Sequence, residues 1–185
     1  GFKLDETVAQ KEELNSKTGK PLLELQQAIG LSTLPRSITA FDISHISGTD
    51  AVGSAVSFKD GRPYKTGYRK FKIKTVEGIN DPAMMRETIE RYLANQQEKN
   101  EPHPDFLLVD GGLPQLNAAL QLVDEKGYNV MVAGLAKRLE EIYLTGGEVV
   151  SLAKNSSALH LLQRLRDESH RFAQSYHHKL RQKGI

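Results

Sequence analysis

Three residues far apart in the sequence, Asp42, Asp110 and His170, have side chains that could together bind a divalent metal ion. Asp42 interrupts an apolar stretch, where a lone carboxylate is costly unless it is paired or bound to a metal. Asp110 ends an apolar run and precedes Gly111 and Gly112, which let the backbone turn sharply and a ligand approach closely. Two carboxylates in one crevice repel each other unless a cation lies between them, and hard oxygen ligands suit Mg²⁺ or Mn²⁺.

Each of these residues also has an ordinary structural interpretation. Asp42 could be a salt-bridged structural carboxylate, and Asp110 could only cap the helix that follows it. His170 lies on the last predicted helix, about 100° from the centre of the apolar stripe, and such border histidines are usually surface residues. The stripe consists of apolar or small residues at steps of three and four: Ala158, Leu162, Leu165, Ser169, Phe172, Tyr176 and Leu180. The metal-site hypothesis therefore depends on whether the fold brings the three side chains together.

Charge and composition narrow the classes of partner. The net charge is only +2, but residues 61–74 carry six lysines and arginines and no acid, and residues 160–183 carry six against two acids. Such clustering favours a polyanion partner. Alternatively, the first cluster is only the solvated face of a strand, and the second is only a helix C-terminus, where cations suit the helix dipole. The absence of cysteine excludes disulfides and Cys-based zinc sites and fits a reducing cytoplasm. No run approaches the roughly 18 apolar residues of a membrane span, so no membrane partner is expected.

The elements that must position these residues follow from periodicity and turn signals. Residues 1–36 are predicted to be a lead-in segment with one short helix, Leu22 to Ile29, opened by Pro21 and closed by Gly30. Residues 37–185 are predicted to form the main domain. Its predicted strands are 38–46, 51–58, 68–73, 106–109 and 130–135, with a small hairpin at 142–144 and 149–152. Its predicted helices are 81–96 with Asp81 as N-cap, 114–125, and 156 or 157 to about 181.

This order predicts an α/β fold in which an antiparallel meander joins parallel strands in a mixed five-stranded sheet, with helices on both faces. Sites in such sheets gather near the carboxyl ends of the central parallel strands. If the first and fourth strands are neighbours, Asp42 and Asp110 project into one crevice.

Four stretches of the sequence resemble a known family. They are FDISH at 41–45, LLVDGG at 107–112 with QLNAA at 115–119, GLAKR at 134–138 with EEI at 140–142, and SALHLLQRLRDESHRFA at 157–173. In this order they resemble the C-terminal half of the bacterial excinuclease subunit UvrC. The resemblance implies an RNase H-like fold with an Asp-Asp-His metal site, here Asp42, Asp110 and His170. It also implies incision on the 5′ side of a DNA lesion in nucleotide excision repair.

The resemblance also has departures. The family usually has Lys-Gly after the Asp-Gly-Gly motif, whereas this chain has Leu113 and Pro114, which puts a phosphate contact by that lysine in doubt. No GIY-YIG nuclease segment, UvrB-binding region or helix-hairpin-helix repeat is evident. The chain is therefore expected to be a piece of a longer protein, with damaged double-stranded DNA as its substrate. UvrB and the UvrA-loaded repair complex are the expected partners of the missing parts.

Five cations are candidates for DNA contact. Lys137, Arg138 and Arg166 are predicted to clamp phosphates near the metal, and Lys70 and Lys72 of the basic third strand are predicted to contact the backbone without reading sequence. One rival hypothesis is a catalytically silent RNase H-like module that binds DNA or protein. Another is an RNA-cutting nuclease of the same fold, since residue patterns alone do not separate DNA from RNA.

Overall fold

A computed structural model of the chain describes residues 19–47, 50–138 and 140–183, with backbone only at 46, 47 and 176–183. The described helices are α1 (Lys20–Ile29), α2 (Asp81–Glu98), α3 (Leu113–Lys126) and α4 (Ser157–Lys183). The described strands are β1 (Ser37–Ser47), β2 (Asp50–Lys59), β3 (Arg62–Pro63), β4 (Arg69–Lys72), β5 (Phe106–Asp110), β6 (Met131–Leu135), β7 (Glu141–Tyr143) and β8 (Val149–Ser151). None of these helices is long and apolar enough to cross a membrane.

All eight described strands belong to one sheet, in the order β3-β2-β1-β5-β6-β7-β8, with β4 also paired to β2. The β1–β2 pair is antiparallel, while β1, β5 and β6 are parallel, so the predicted mixed sheet is confirmed. The sheet is wider than the five strands predicted. The hairpin β7–β8 extends it from the edge of β6, and the basic segment divides into β3 and β4 around a 3₁₀ turn at Lys65–Gly67.

Helices cover both faces of the sheet, as predicted. Successive residues of a strand point to opposite faces, and Ala40 and Phe41 accordingly lie in two different hydrophobic clusters. The cluster containing Ala40 includes Leu22 of α1 and Leu162 of α4, whereas the cluster containing Phe41 includes Ile89 of α2. Because Asp42 follows Ala40 by two residues, its side chain lies on the α4 face.

The first turn of α2 is capped by a side chain close in sequence. Asn80, not Asp81, is the N-cap of α2, since the Asn80 side chain accepts a hydrogen bond of 3.1 Å from the Ala83 amide. The prediction was wrong by one residue because both residues are good caps. The Asp81 carboxylate instead lies 2.8 Å from the imidazole of His45.

The first turn of α4 is held by a residue of α1. The Ala158 amide donates a hydrogen bond of 3.2 Å to the Glu24 carboxylate. Burial raises the pKa of Glu24, but hydrogen bonds from Ser157 and Ala158 outweigh it and the net pKa is lowered. Gly30 ends α1, as predicted, and adopts the left-handed conformation. Helix α1 thus packs in the same core as α4, while the division at residue 37 stays a prediction.

Candidate metal centre and nucleic-acid surface

Asp42, Asp110 and His170 come together at one edge of the sheet. Strands β1 and β5 are parallel neighbours with Phe41 opposite Val109, so the two aspartates follow at adjacent positions. His170 projects from α4 on the same face, and one ligand atom from each of the three residues lies within 4.8 Å of the others. The His170 Nε2 atom is 2.9 Å from Asp110 Oδ2 and 3.8 Å from Asp42 Oδ2. The first and fourth predicted strands are therefore neighbours, which is the condition under which the two aspartates share one crevice.

The turn after Asp110 requires glycine. Gly111 and Gly112 have φ angles of 137° and 91°, in a region that residues with a side chain rarely adopt. A Cβ atom on Gly111 would also lie 2.9 Å from the side chain of Gln115. The turn therefore brings the start of α3 and the Gln115 carboxamide tightly against the backbone that follows Asp110.

The electrostatics of the cluster are unfavourable to a carboxylate at position 42. Burial raises the pKa of Asp42 to about 6, with a further contribution from the negative charge of Asp110. His170 and Arg166 oppose this shift only in part. A divalent cation between the carboxylates would favour the ionised form of Asp42.

The donor set suits a hard divalent cation. The two carboxylates are the oxygen ligands that Mg²⁺ and Mn²⁺ prefer, and the imidazole adds a nitrogen ligand of the kind more common at transition-metal sites. The side chains of Asp42 and Asp110 are 18% and 24% exposed, while that of His170 is 42% exposed, so the cluster opens towards solvent on its histidine side. A ligand can therefore approach without displacing the core.

Tyr68, which immediately precedes β4, contacts α4 at residues on both sides of His170 in the sequence. The Tyr68 hydroxyl donates a hydrogen bond of 3.0 Å to Glu168, and the Tyr68 ring packs edge-on against Phe172. Burial and the Glu168 hydrogen bond raise the pKa of Tyr68. These contacts could not be predicted from the sequence, because the pattern indicated a third strand at 68–73 but not which helix it lies against. They hold the turn of α4 that carries His170.

The basic strand β4 shares a face with Asp42. In the sheet register Lys70 lies opposite Ser54, which lies opposite Asp42, and Lys72 occupies the next row on the same face. Two strand spacings separate Lys70 from Asp42, about 10 Å. The Lys70 amine lies 3.3 Å from the Ser175 hydroxyl and 4.3 Å from the centre of the Phe172 ring, whereas Lys72 is exposed.

The other three candidate cations lie near the histidine side. Arg166, one helical turn before His170, donates a hydrogen bond of 3.4 Å to the backbone carbonyl of Lys137. Lys137 and Arg138 are exposed in the segment after β6. Cations thus flank the cluster in both directions, an arrangement that suits a chain of phosphates running across it.

Comparisons with known proteins agree on the fold and the family. The family described as the UvrC RNAse H endonuclease domain matches residues 26–174. The UvrABC system protein C of Chlorobaculum tepidum is 50% identical over 163 residues, covering 87% of this chain and 26% of that protein. The corresponding protein of Methanococcoides burtonii is 49% identical and covers 86% of this chain and 27% of its own length. This chain thus spans about a quarter of these relatives.

Two solved structures resemble the chain in fold. Ciona intestinalis endonuclease V, in complex with a 24mer DNA containing an inosine followed by a ribo-adenosine, has a TM-score of 0.50 and 16% identity and covers 96% of this chain and 100% of that chain. Human ENDOV has a TM-score of 0.51 and 11% identity and covers 88% of this chain and 97% of that chain. At such identities the likeness establishes the RNase H-like fold alone.

Proposed function

The chain belongs to the family of UvrC RNase H endonuclease domains, and from this premise we propose that it is a divalent-metal-dependent DNA endonuclease. Its reaction is hydrolysis of a phosphodiester bond on the 5′ side of a lesion in nucleotide excision repair. The observation that carries this proposal is the convergence of Asp42, Asp110 and His170 from three separate elements.

Asp42, Asp110 and His170 are the proposed ligands of Mg²⁺ or Mn²⁺, with Asp42 as the central one. When bound, the ion lowers the pKa of a water molecule and neutralises charge on the leaving oxygen. The protein's task is to hold two ionised carboxylates and a neutral imidazole in a fixed arrangement. The strand backbone fixes the aspartates, and the Tyr68–Glu168 contact on α4 supports the histidine.

The proposed DNA path crosses the α4 face of the sheet. Lys70 and Lys72 on one side, and Arg166, Lys137 and Arg138 on the other, are the proposed phosphate contacts. Such contacts orient a duplex without reading its sequence. This suits an enzyme whose cutting position is set by the lesion. Leu113, which is 44% exposed where the family usually has lysine, leaves the phosphate contacts to these five cations.

The proposed substrate is damaged double-stranded DNA, and the proposed compartment is the cytoplasm. UvrB is the proposed partner, through parts of a longer protein that lie outside this chain. This chain spans 26% of the length of its relative from Chlorobaculum tepidum, so recognition of the lesion is assigned to regions beyond it.

The rival function is a catalytically silent module that only binds DNA or protein. The complete ligand set and the raised pKa of Asp42 argue against it, because an unused carboxylate pair would destabilise the fold without benefit. The choice of DNA over RNA depends on family membership.

The decisive experiment places Asp110→Asn in the full-length protein and measures both incisions on a lesion-containing duplex. The 5′ incision is expected to fall by more than about 100-fold, since a first ligand should matter more than the groups that orient ligands. The 3′ incision should persist. Asp124→Asn, which changes an exposed carboxylate on the same helix that follows Asp110, is the matched control. Normal 5′ incision by Asp110→Asn would contradict the proposal.

A further inference from the structure

A second concave site lies at the sheet edge opposite the metal cluster. It has a volume of about 400 Å³ and is bounded by the start of β1, the end of β2 and the C-terminal half of α2. Its volume falls within the roughly 300–1,000 Å³ range of small-molecule sites. Its β1 residues end at Thr39, three positions before Asp42, and it opens on the α2 face, whereas Asp42 lies on the α4 face. The cavity is therefore separate from the candidate metal centre.

The floor of this cavity is a fixed network of hydroxyl groups. The Tyr92 hydroxyl shares hydrogen bonds with Thr39 at 3.0 Å and Ser57 at 3.4 Å, and Gln96 donates to it at 3.1 Å. The Ser57 hydroxyl donates in turn to the carbonyl of Gly67 at 3.2 Å. Because Tyr92, Thr39 and Ser57 are buried, the floor presents an aromatic edge in one position.

One wall carries a carboxamide with unused hydrogen-bonding capacity. The Asn95 side chain lines the cavity and makes no hydrogen bond to any described residue. A carboxamide offers a donor and an acceptor side by side, the pattern that matches the edge of a nucleobase. The neighbouring Gln96 is already engaged, because its carboxamide oxygen lies 3.2 Å from the imidazole of His103.

The rim combines an aromatic ring with positive charge. Tyr64 is 41% exposed, and the Lys59 amine lies 4.2 Å from the centre of its ring. Within the described residues Lys59 forms no ion pair, and Arg62 and Lys65 are exposed on the same hairpin. Of the two acids that line the cavity, Asp105 accepts hydrogen bonds from Ser37, and Glu101 lies at the exposed side.

We propose that this cavity binds one unpaired nucleotide of a DNA strand. The base enters the cavity between the rim and the Tyr92 floor, the Asn95 carboxamide bonds its edge, and Lys59 contacts the adjoining phosphate. Aromatic surface beside cations is the combination by which proteins hold single-stranded DNA. The inference rests on the proposed function only in taking DNA as the source of the nucleotide.

The β4 edge offers a route between the two sites. Successive residues of a strand point to opposite faces. Arg69 lines the cavity on the α2 face, while Lys70 contacts Phe172 on the α4 face. A DNA strand that passes around the β4 edge meets a cation on each face of the sheet. The cavity thereby holds one unpaired nucleotide of a DNA strand while the candidate metal centre acts on another nucleotide of the same DNA.

The test measures binding of this chain, without metal and without cleavage, to labelled (dA)₁₂ and to a 12-base-pair duplex. Asn95→Ala and Lys59→Ala are expected to weaken (dA)₁₂ binding, by about tenfold for the base contact, and to leave duplex binding unchanged. Gln97→Ala, an exposed position on the same helix outside the cavity, should bind both as the parent chain does. Thermal unfolding of each variant verifies that it folds.

Two outcomes would overturn the inference. Equal affinities of Asn95→Ala and the parent chain for (dA)₁₂ would exclude base contact in the cavity. Displacement of (dA)₁₂ by free dAMP at equal nucleotide concentration would make this a site for free nucleotides instead of a strand. Neither outcome depends on incision, so the failure of Asp110→Asn to abolish cutting would be recognised separately.

Discussion

Asp42 and Glu87 are both largely withdrawn from solvent, yet the protein treats their charges in opposite ways. Glu87, 6% exposed, accepts hydrogen bonds from the Lys74 and Thr75 amides, the Thr75 hydroxyl and the Arg91 guanidinium. Burial raises the pKa of Glu87, but these bonds outweigh it and the net pKa is lowered. The pKa of Asp42 is instead raised, by burial and by Asp110.

This difference separates a structural carboxylate from one that we propose to be a metal ligand. Glu87 ties α2 to the segment after β4, and its charge is satisfied by donors of the chain itself. Asp42 faces a second carboxylate and receives too few donors to offset its burial. A buried carboxylate without enough hydrogen-bond donors lowers the stability of the protein. Proteins keep such residues at functional sites, for example where a cation binds. The two residues therefore predict opposite mutational phenotypes.

The largest expected effect comes from Asp42→Asn. Mn²⁺ affinity, measured by calorimetry, should fall by more than about 100-fold because a central ligand is lost. The metal-free protein should gain stability, by about 2–4 °C in the unfolding midpoint for each 1 kcal/mol of repulsion relieved. A lower midpoint for Asp42→Asn would mean that Asp42 is a structural carboxylate, and the contrast with Glu87 would fail.

Glu87→Gln should give the reverse result. Loss of the charged acceptor for two amides and Arg91 is expected to lower the free energy of unfolding by about 1–3 kcal/mol. Mn²⁺ affinity should equal that of the parent chain. Urea unfolding and calorimetry on the same preparation measure both quantities. The matched control is Glu90→Gln. Glu90 lies on the same helix, is more exposed than Glu87 and pairs with Lys126, so its substitution should change stability far less.

The pH dependence of stability should carry the Glu87 signature. Because its folded-state pKa is below the ordinary value of 4.5, its contribution is fully present above that value and is lost as the pH falls through the folded pKa. The stability difference between the parent chain and Glu87→Gln should therefore shrink with acidification below about pH 4.5. A difference that stays constant from pH 7 to pH 3 would show that Glu87 acts through packing instead of charge.

The smallest expected effect concerns the surface around Asp42. Lys72→Ala should weaken duplex binding a few-fold and reduce the salt dependence of the binding constant by about one phosphate contact. Lys99→Ala, at the far end of α2, should have no effect. Anisotropy titrations at several salt concentrations compare the two. Equal effects of both variants would place the DNA elsewhere than on the Asp42 face.

Much of this arrangement could be predicted from local pattern. The apolar run that ends in Asp110-Gly111-Gly112 predicted both a buried strand and its turn, and the helical angle of His170 predicted its half-exposed position. Pairings between distant segments could not be predicted in this way. The place of β7 beside β6, and Glu24 as acceptor for the Ala158 amide, arise from contacts that no local pattern encodes. In the sequence Glu87 is like any other glutamate of a helix. Its hydrogen-bond donors Lys74 and Thr75 come after β4, and no local pattern links them to α2.

The bond between Glu24 and Ala158 joins residues that are 134 positions apart, and this separation has a consequence for biosynthesis. At about 5–20 residues per second, a ribosome needs roughly 7–27 s to make the intervening chain. In the last part of that interval, after Leu108 has been made, the sheet face formed by Ile38, Ala40 and Leu108 lacks the helix α4 that covers it. Nascent chains in this condition are substrates for chaperones and are prone to aggregation. Slower translation would lengthen the time for which this apolar face is uncovered.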